Sequence, residues 1–397
     1  MKTLLDVCEL IVDCPHSTAK DEGAGYPLIR TPNIGKGRFI LDGVHLVSED
    51  VYNKRNHRVV PMDDDIILAR EAPAGNVAII KNGAKYCLGQ RTVLIRPNKK
   101  SVNPDFLTYY LLAPEQQHKL LSSATGATVA HVNMPVIRGL EVSLPPLETQ
   151  NRIASILSAY DDLIENNQKQ IKLLEEAAQR LYKEWFVDLR FPGHEDVKIV
   201  DGVPEGWKKS QLRNIGEIIT GKTPSTSNTS FYGNEIPFVT IPDMHNEVFV
   251  LKTGKCLSVA GAESQKSKYI PKDSIMISCI GTVGLVCLSD KICQTNQQIN
   301  SLVLFNKKDL YYVYHSLLNI ESMLDGIGSN GTTMTNVNKE KFSNIELLIP
   351  SNIIICMYYD MCKPIFEKIL GIRKQIYCLQ EARDRLLPKL MSGEIEV

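Results

Sequence analysis

The sequence contains an internal duplication, and this limits the fold more than any other feature. A chain of 397 residues is too long for one ordinary core. Its two halves match with residue-number offsets of 205 to 210, so we predict two copies of one unit separated by small gaps. The matching segments are 126–133 with 331–338, Pro145 with Pro350, 27–33 with 237–243, Pro61 with Pro271, and 90–94 with 298–302.

Each copy opens with about 145 residues of short apolar runs rich in Ile, Val and Thr. Gly, Pro, Asn and Asp separate these runs, a pattern typical of strands and turns. Two shorter stretches, 104–121 and 309–324, have a helical pattern. We therefore predict an α+β fold in which two β-rich domains, 1–145 and 201–350, alternate with two long-helix regions, 146–200 and 351–397.

Both helical regions have apolar residues in steps of four and three, which is the spacing of a coiled coil. These positions are called the seam. In the first copy they are Ile153, Leu157, Tyr160, Ile164, Asn167, Ile171, Leu174, Ala178, Leu181 and Trp185. In the second they are Tyr358, Cys362, Ile365, Ile369, Ile372, Ile376, Leu379, Arg383, Leu386 and Leu390. A helix packed on its own domain is the alternative, but the recurrence of the seam favours two long antiparallel helices that pair in a pseudo-twofold repeat.

Three residues depart from the apolar seam or from the repeat. Asn167 is polar, and it either sets the helix register or lies in solvent where the helices splay. Arg383 interrupts the second seam. Pro364 replaces Ala159 of the first copy, so we expect the second helix to begin near Pro364 or to kink there.

Composition excludes some classes of protein. Lys plus Arg equals Asp plus Glu at 45 each, so a nucleic-acid partner has to be argued from local features. Apolar runs are much shorter than the roughly 20 residues of a membrane span, and Asp6 comes too early for a signal peptide. The ten cysteines lack metal-site spacing. We expect a cytoplasmic chain with reduced thiols, no membrane segment and no metal.

Residues 216–223 fit the phosphate-binding pattern G-x-x-x-x-G-K-[ST]. Two isoleucines occupy the loop, Pro224 stands where a helix should begin, and the equivalent stretch of the first copy lacks the pattern. An NTPase is therefore disfavoured. Methyltransferase and hydrolase motifs are also missing from the sequence, so we predict no catalytic residue in this chain.

Matched polar loops are the best candidates for a binding surface. Arg, Asn and Gln make the commonest contacts to base edges, and Thr and Lys suit phosphates. Taken singly each such residue also suits a solvated turn, but their recurrence in both copies favours DNA binding. The candidates in the first copy are Arg30, Thr31, Asn33, Lys36, Arg70, Gln90, Arg91, Thr128, His131 and Asn133. Those in the second are Lys222, Thr240, Asp243, Gln297, Gln298, Asn300, Thr332, Thr333, Asn336 and Asn338.

Motifs around the two helices complete a pattern that resembles a known family, the specificity subunits of type I restriction-modification enzymes. The resemblance covers essentially the whole chain. Its motifs are residues 144–157 entering the first helix, 182–186 and 191–193 leaving it, 204–207 opening the second domain, and 386–393. The sequence departs from the family pattern at Pro364 and at 351–355.

The resemblance implies two target-recognition domains, each reading one half of a split, asymmetric site in double-stranded DNA, with the paired helices fixing the spacer. It implies two modification subunits that bind S-adenosylmethionine and methylate adenine, and restriction subunits that use ATP and magnesium, with no cofactor in this chain. A specificity subunit of a methylation-only system is one alternative. A coiled-coil scaffold that joins two protein partners without DNA is another.

Overall fold

The computed structural model describes residues 2–122, 131–318 and 337–397. Four candidate residues lie outside these ranges, namely Thr128, Thr332, Thr333 and Asn336, as does the end of the predicted helical stretch 309–324. The chain divides into two units, one formed by Met1–Gln168 with Gln375–Val397 and the other by Lys169–Lys374. In the part that is described, no helix is long and apolar enough to cross a membrane.

The first unit is built from short β-branched runs that form two main sheets. An antiparallel sheet has the strand order Cys8–Asp13, Thr92–Pro97, Ile66–Ala69 and Val77–Ile79. A second sheet has the order His45–Val47, Tyr26–Ile29 and Cys87–Leu88, and the last two strands are parallel. Lys2–Thr3 pairs with Glu141–Val142. The shorter helices are Glu49–Arg55, Pro104–Leu112, Pro114–Ser122 and Met134–Arg138.

The second unit repeats this order of elements. One sheet has the order Gly216–Thr220, Ile299–Leu304, Ile275–Ser278, Val286–Ser289 and Phe249–Val250. Another has the order Tyr232–Gly233, Lys255–Leu257, Ile236–Val239 and Gln294–Thr295. Lys208–Gln211 pairs with Glu346–Ile349, and Ile199–Val200 with Val203–Pro204. The shorter helices are Leu212–Ile215, Val259–Glu263, Leu310–Leu317 and Lys339–Ser343.

The segment that fits the phosphate-binding pattern is a strand in this fold. Gly216–Thr220 pairs along its length with Ile299–Leu304. A Cβ on Gly221 would lie 2.1 Å from the Asn296 carbonyl oxygen, so this glycine permits a close approach of two backbones. Extended backbone in a sheet does not supply the turn that cradles a phosphate.

The two long helices are Leu147–Tyr182, which is followed by a π turn at Lys183–Val187, and Asn352–Ser392. Most of the seam is buried, and Leu174, Leu181, Leu379 and Leu386 are half-buried. At one seam position in each copy, the buried residue is the one that follows the predicted residue. Asp161 and Phe366 are each 2% exposed, whereas their neighbours Tyr160 and Ile365 are only half-buried.

Within the first unit the long helices run in opposite directions, as predicted. Asp161 contacts Arg383, and Leu157 belongs to the same core cluster as Leu390. Leu386, Leu387, Met391, Ile395 and Val397 also pack against this core. The N-terminal β-rich domain therefore completes its hydrophobic core with residues that follow it by more than 200 positions in the sequence.

The expectation that the second helix starts near Pro364 is wrong, because the helix begins at Asn352. A proline inside a helix leaves the carbonyl four residues earlier without its donor. Pro364 and Asp360 are both exposed, so water can satisfy that carbonyl. Tyr358 and Cys362 are fully buried before the proline and Phe366 after it, and this packing holds the helix on both sides.

Aromatic side chains surround the start of the second long helix in the second unit. The Tyr358 ring lies 5.8 Å from the ring of Trp185 and 4.8 Å from that of Phe186, between centroids. Its hydroxyl lies 3.0 Å from Nδ1 of His315. Burial lowers the pKa of His315 from 6.5 to about 4, so this imidazole is neutral inside the cluster.

Candidate nucleic-acid interface

In the first unit the backbone brings three candidate residues together at the end of the strand Ile66–Ala69. The Arg70 amide donates to the Arg91 carbonyl at 2.9 Å, and the Val132 amide donates to the Arg70 carbonyl at 3.0 Å. His131 precedes Val132, so Arg70, Arg91 and His131 are neighbours although they are far apart in sequence. We call this arrangement the frame.

In the first unit, ion pairs and hydrogen bonds connect the side chains of the frame to two acidic residues. Arg70 donates from Nη1 to Asp13 Oδ2 at 2.9 Å, and its Nη2 lies 2.7 Å from His131 Nε2. A guanidinium has only donors, so Nε2 accepts and His131 Nδ1 donates to Glu71 Oε1, 2.6 Å away. Glu71 Oε2 also holds Arg91 Nη1 at 2.7 Å. Arg70 is only 7% exposed and supports the surface, whereas Arg91 is exposed at its edge.

The remaining candidates of the first unit either line a pocket together with Arg91 or lie outside it. Arg30, Thr31, Gln90 and Arg91 line one pocket of about 160 Å³. Asn33 is buried and has a structural role, since its side chain accepts from the Arg30 amide and donates to the Ile40 carbonyl. Lys36 is exposed, and Asn133 lies at the start of the helix Met134–Arg138.

The second unit has the same frame. The Cys279 amide donates to the Gln298 carbonyl at 2.7 Å, and the Val337 amide donates to the Cys279 carbonyl at 2.8 Å. Cys279 thus takes the place of Arg70, and Gln298 takes that of Arg91. The predicted alignment of 90–94 with 298–302 is therefore wrong by one residue, and Gln90 corresponds to Gln297. Strand pairing fixes this register because a one-residue slip turns every side chain to the other face.

In the second unit, hydrogen bonds between neutral side chains surround the frame. Thr220 Oγ1 donates to Asn300 Oδ1 at 2.6 Å, and Asn296 Nδ2 donates to Gln298 Oε1 at 2.9 Å. Thr223 Oγ1 donates to Gln297 Oε1 at 2.7 Å. Asn300 is buried, whereas Gln297 is exposed and Gln298 is half-buried. The amides at the surface are therefore those of Gln297 and Gln298.

Four other candidates of the second unit lie apart from the frame or serve the backbone. Asp243 accepts from the amide and hydroxyl of Thr240, as Asn33 accepts from the Arg30 amide in the first unit. Asn338 Oδ1 accepts from the Lys341 amide and caps a helix. Lys222 is exposed beside the strand Gly216–Thr220.

A buried polar group on the first long helix was missed by the sequence analysis. Asp161 Oδ2 accepts from the Tyr109 hydroxyl at 2.6 Å, and Oδ1 accepts from Arg383 Nη1 at 2.5 Å. Burial raises the pKa of Tyr109 well above its ordinary value, so the phenol remains a donor. Arg38 forms further ion pairs with the same helix, to Asp162 at 3.0 Å and Glu165 at 3.2 Å. The interruption of the seam at Arg383 was the available signal, because a buried arginine needs an acid.

Asp13 and Glu71 were also missed, because neither belongs to the matched loops from which the candidates were taken. Each of the two acids pairs with one arginine of the frame, Asp13 with Arg70 and Glu71 with Arg91. Among the residues that the structure describes, no three His, Cys, Asp or Glu side chains converge as metal ligands.

The sequence matches the family model described as the type I restriction modification DNA specificity domain, at residues 1–176 and again at 204–353. It is 34% identical over 398 residues to the specificity subunit of the type I restriction enzyme HindI from Haemophilus influenzae, covering 83% of this chain and 86% of that one. It is 27% identical over 411 residues to the MjaIX specificity subunit from Methanocaldococcus jannaschii, covering 100% and 93%.

The fold is shared with a crystal structure of a type I restriction-modification S subunit from M. genitalium. The TM-score is 0.60 at 15% identity, covering 98% of this chain and 95% of the other. Two matches to the specificity domain, a relative above 30% identity and this fold agree. The chain belongs to the family of type I restriction enzyme specificity subunits, which are DNA-recognition subunits.

Proposed function

We propose that each unit reads one half of a split, asymmetric DNA site, that the long helices set the spacer, and that this chain itself catalyses no reaction. The supporting observation is the frame. The same backbone hydrogen bonds hold it in both units, with an arginine and two acids at its surface in one and neutral amides in the other. One scaffold with two side-chain chemistries suits two unlike half-sites, because base edges are read by side chains.

We further propose that partner subunits perform the chemistry. Two modification subunits would bind S-adenosylmethionine and methylate adenine, and restriction subunits would use ATP and magnesium. The duplication supports two modification subunits because it gives the chain two equivalent units. The zero net charge also supports partners, since they would supply much of the phosphate contact. Buried free thiols such as Cys279 and Cys287 suit a cytoplasmic complex.

A matched pair of variants tests whether each unit reads one half-site. Arg91→Ala and Gln298→Ala remove side chains at equivalent places of the frame. Expressed with the modification subunits in a bacterial host, each variant should change one half-site only, and the two should change opposite halves. A lost base contact weakens discrimination by about 1–3 kcal/mol. Single-molecule methylation mapping of the host genome reads both half-sites and the spacer together.

Two results would contradict the proposal. One is a wild-type complex whose methylated sites do not divide into two specified halves. The other is a single variant that alters both halves. Far-UV circular dichroism of each variant is the control for folding, and unchanged spectra are expected because Arg91 and Gln298 lie at the surface.

A further inference from the structure

The pocket beside the frame of the first unit has a defined origin in the sheet. The strands Tyr26–Ile29 and Cys87–Leu88 are parallel neighbours, so their carboxyl ends open at one edge. The turn that starts at Arg30 follows one strand, and the turn Gly89 to Arg91 follows the other. Together with Thr18 and Ala19 they line a pocket of about 160 Å³.

The second turn has features that keep the pocket in shape. The Gly89 amide donates to the Ile29 carbonyl at 2.8 Å, and a Cβ on Gly89 would lie 2.7 Å from that oxygen. A side chain at position 89 would therefore force the two turns to shift. Arg91 has φ of 63°, a left-handed conformation that is uncommon for a residue with a side chain. Held strain of this kind clusters at binding sites.

Arg30 supplies the pocket with an uncommitted guanidinium. Its Nε is buried and has no hydrogen-bond partner. Within the described ranges its guanidinium forms no ion pair, whereas Arg91 is held by Glu71 and Arg70 by Asp13. A buried donor without a partner costs about 1–3 kcal/mol, which a ligand with acceptors would offset.

The other walls indicate which acceptors fit. Ala19, Leu28 and Pro32 give the pocket apolar sides, and Thr18, Thr31 and Gln90 are neutral. Arg91 also lines the pocket, but Glu71 balances its charge. A phosphate prefers several converging donors or cations, whereas a base presents a flat apolar face and a polar edge. Guanine offers two adjacent acceptors, O6 and N7, and an arginine fork binds both.

We propose that Arg30 reads a guanine in the half-site of the first unit, with its edge in this pocket. The inference rests on the proposed function and adds a base and a residue to it. The second unit supports the assignment by contrast. Thr240 stands in the place of Arg30 and is bonded to Asp243, and Asn296 replaces Gly89, with its amide donating to the Val239 carbonyl at 3.1 Å. The guanine contact therefore belongs to one half-site only.

The test compares Arg30→Ala, Arg30→Lys and Lys100→Ala in the complex with its modification subunits, by methylation mapping of the host genome. Arg30→Ala should reduce discrimination about tenfold or more at one G·C pair of the half-site that Arg91→Ala also alters. Arg30→Lys should show the same loss, since lysine keeps the charge but lacks the fork. Lys100→Ala removes an exposed cation of the same unit and should leave every specified base unchanged.

Several outcomes would overturn the inference. They are a first half-site without a specified guanine, an Arg30→Ala complex with unchanged specificity, and a uniform loss of methylation at all sites, which indicates a phosphate contact. Thermal unfolding of Arg30→Ala within 2 °C of the wild type shows that the readout is not a folding defect. A wild-type complex without a bipartite site contradicts the proposed function instead, so the two failures are distinguishable.

Discussion

Replacing Asp161 with alanine tests whether the buried ion pair of the first unit holds its helices together. The substitution leaves Arg383 without its buried carboxylate, so that only the exposed Asp384 still accepts from it, and it leaves the Tyr109 hydroxyl without its acceptor. The side chain of Asp161 is 2% exposed and that of Arg383 is 14% exposed, so water cannot readily replace the lost partner. The charge of Arg383 would remain in the interior.

The magnitude follows from this burial. Removing one member of a buried pair costs about 3–5 kcal/mol, whereas replacing both members with apolar side chains is often close to neutral. The second unit of this chain has apolar side chains at both of the equivalent positions. At the offset of 205, Phe366 occupies the place of Asp161 and Ala178 that of Arg383, and both are buried. We therefore expect Asp161→Ala to lower the free energy of unfolding by about 3–5 kcal/mol, and Asp161→Phe with Arg383→Ala to recover at least half of this loss.

Spectroscopy can separate the two units in this experiment. Both tryptophans, Trp185 and Trp207, lie in the second unit. In urea unfolding, the Asp161→Ala transition should move to lower urea when followed by far-UV circular dichroism and move less when followed by tryptophan fluorescence. Two results would refute a stabilising role of this ion pair: a cost of under about 1 kcal/mol for Asp161→Ala, or effects of Asp161→Ala and Arg383→Ala that simply add when these two substitutions are combined.

Three further predictions concern other parts of the molecule. The pKa of His315 is lowered from 6.5 to about 4. Between these two pH values, His315 is therefore protonated in the unfolded chain and neutral in the folded chain. Stability of the second unit should be full above pH 6.5 and fall by about 3 kcal/mol as the pH drops to 4, and His315→Phe should flatten this slope in fluorescence-detected unfolding. Gly89→Ala places a Cβ 2.7 Å from the Ile29 carbonyl oxygen, and it should lower stability by about 1–3 kcal/mol and weaken readout of the first half-site. The isolated chain should show little sequence-specific DNA affinity in gel shifts and gain it with modification subunits, and tight specific binding by the chain alone at physiological salt would count against this.

The duplication and the spacing of the seam were sufficient to predict the two long helices and the repeated β-rich domains, because both patterns extend over many residues. Single residues were less informative. Pro364 predicted a helix start, because a proline inside a helix costs about 3 kcal/mol. The packing of Tyr358 and Phe366 on either side of it, which holds the helix, could not be read from the sequence.

The candidate site shows a similar division. Polar loop residues could be selected by type, but their roles depend on which partners lie within about 3 Å. Asn33, Arg70 and Asn300 are bonded inside their own unit, and Arg30 and Gln297 reach the pocket or the surface. Residue type did not indicate the acids Asp13 and Glu71, which position Arg70 and Arg91.

The hydrophobic core of the first unit also bears on the order of events during synthesis. Leu157 leaves the ribosome more than 200 residues before Leu390, with which it shares a core. At about 5–20 residues per second, the N-terminal domain waits at least ten seconds for segment 375–397. The second unit is continuous in sequence and can fold during that interval. The domain made first is thus the one completed last, and the apolar surface that segment 375–397 covers stays exposed until that segment is made.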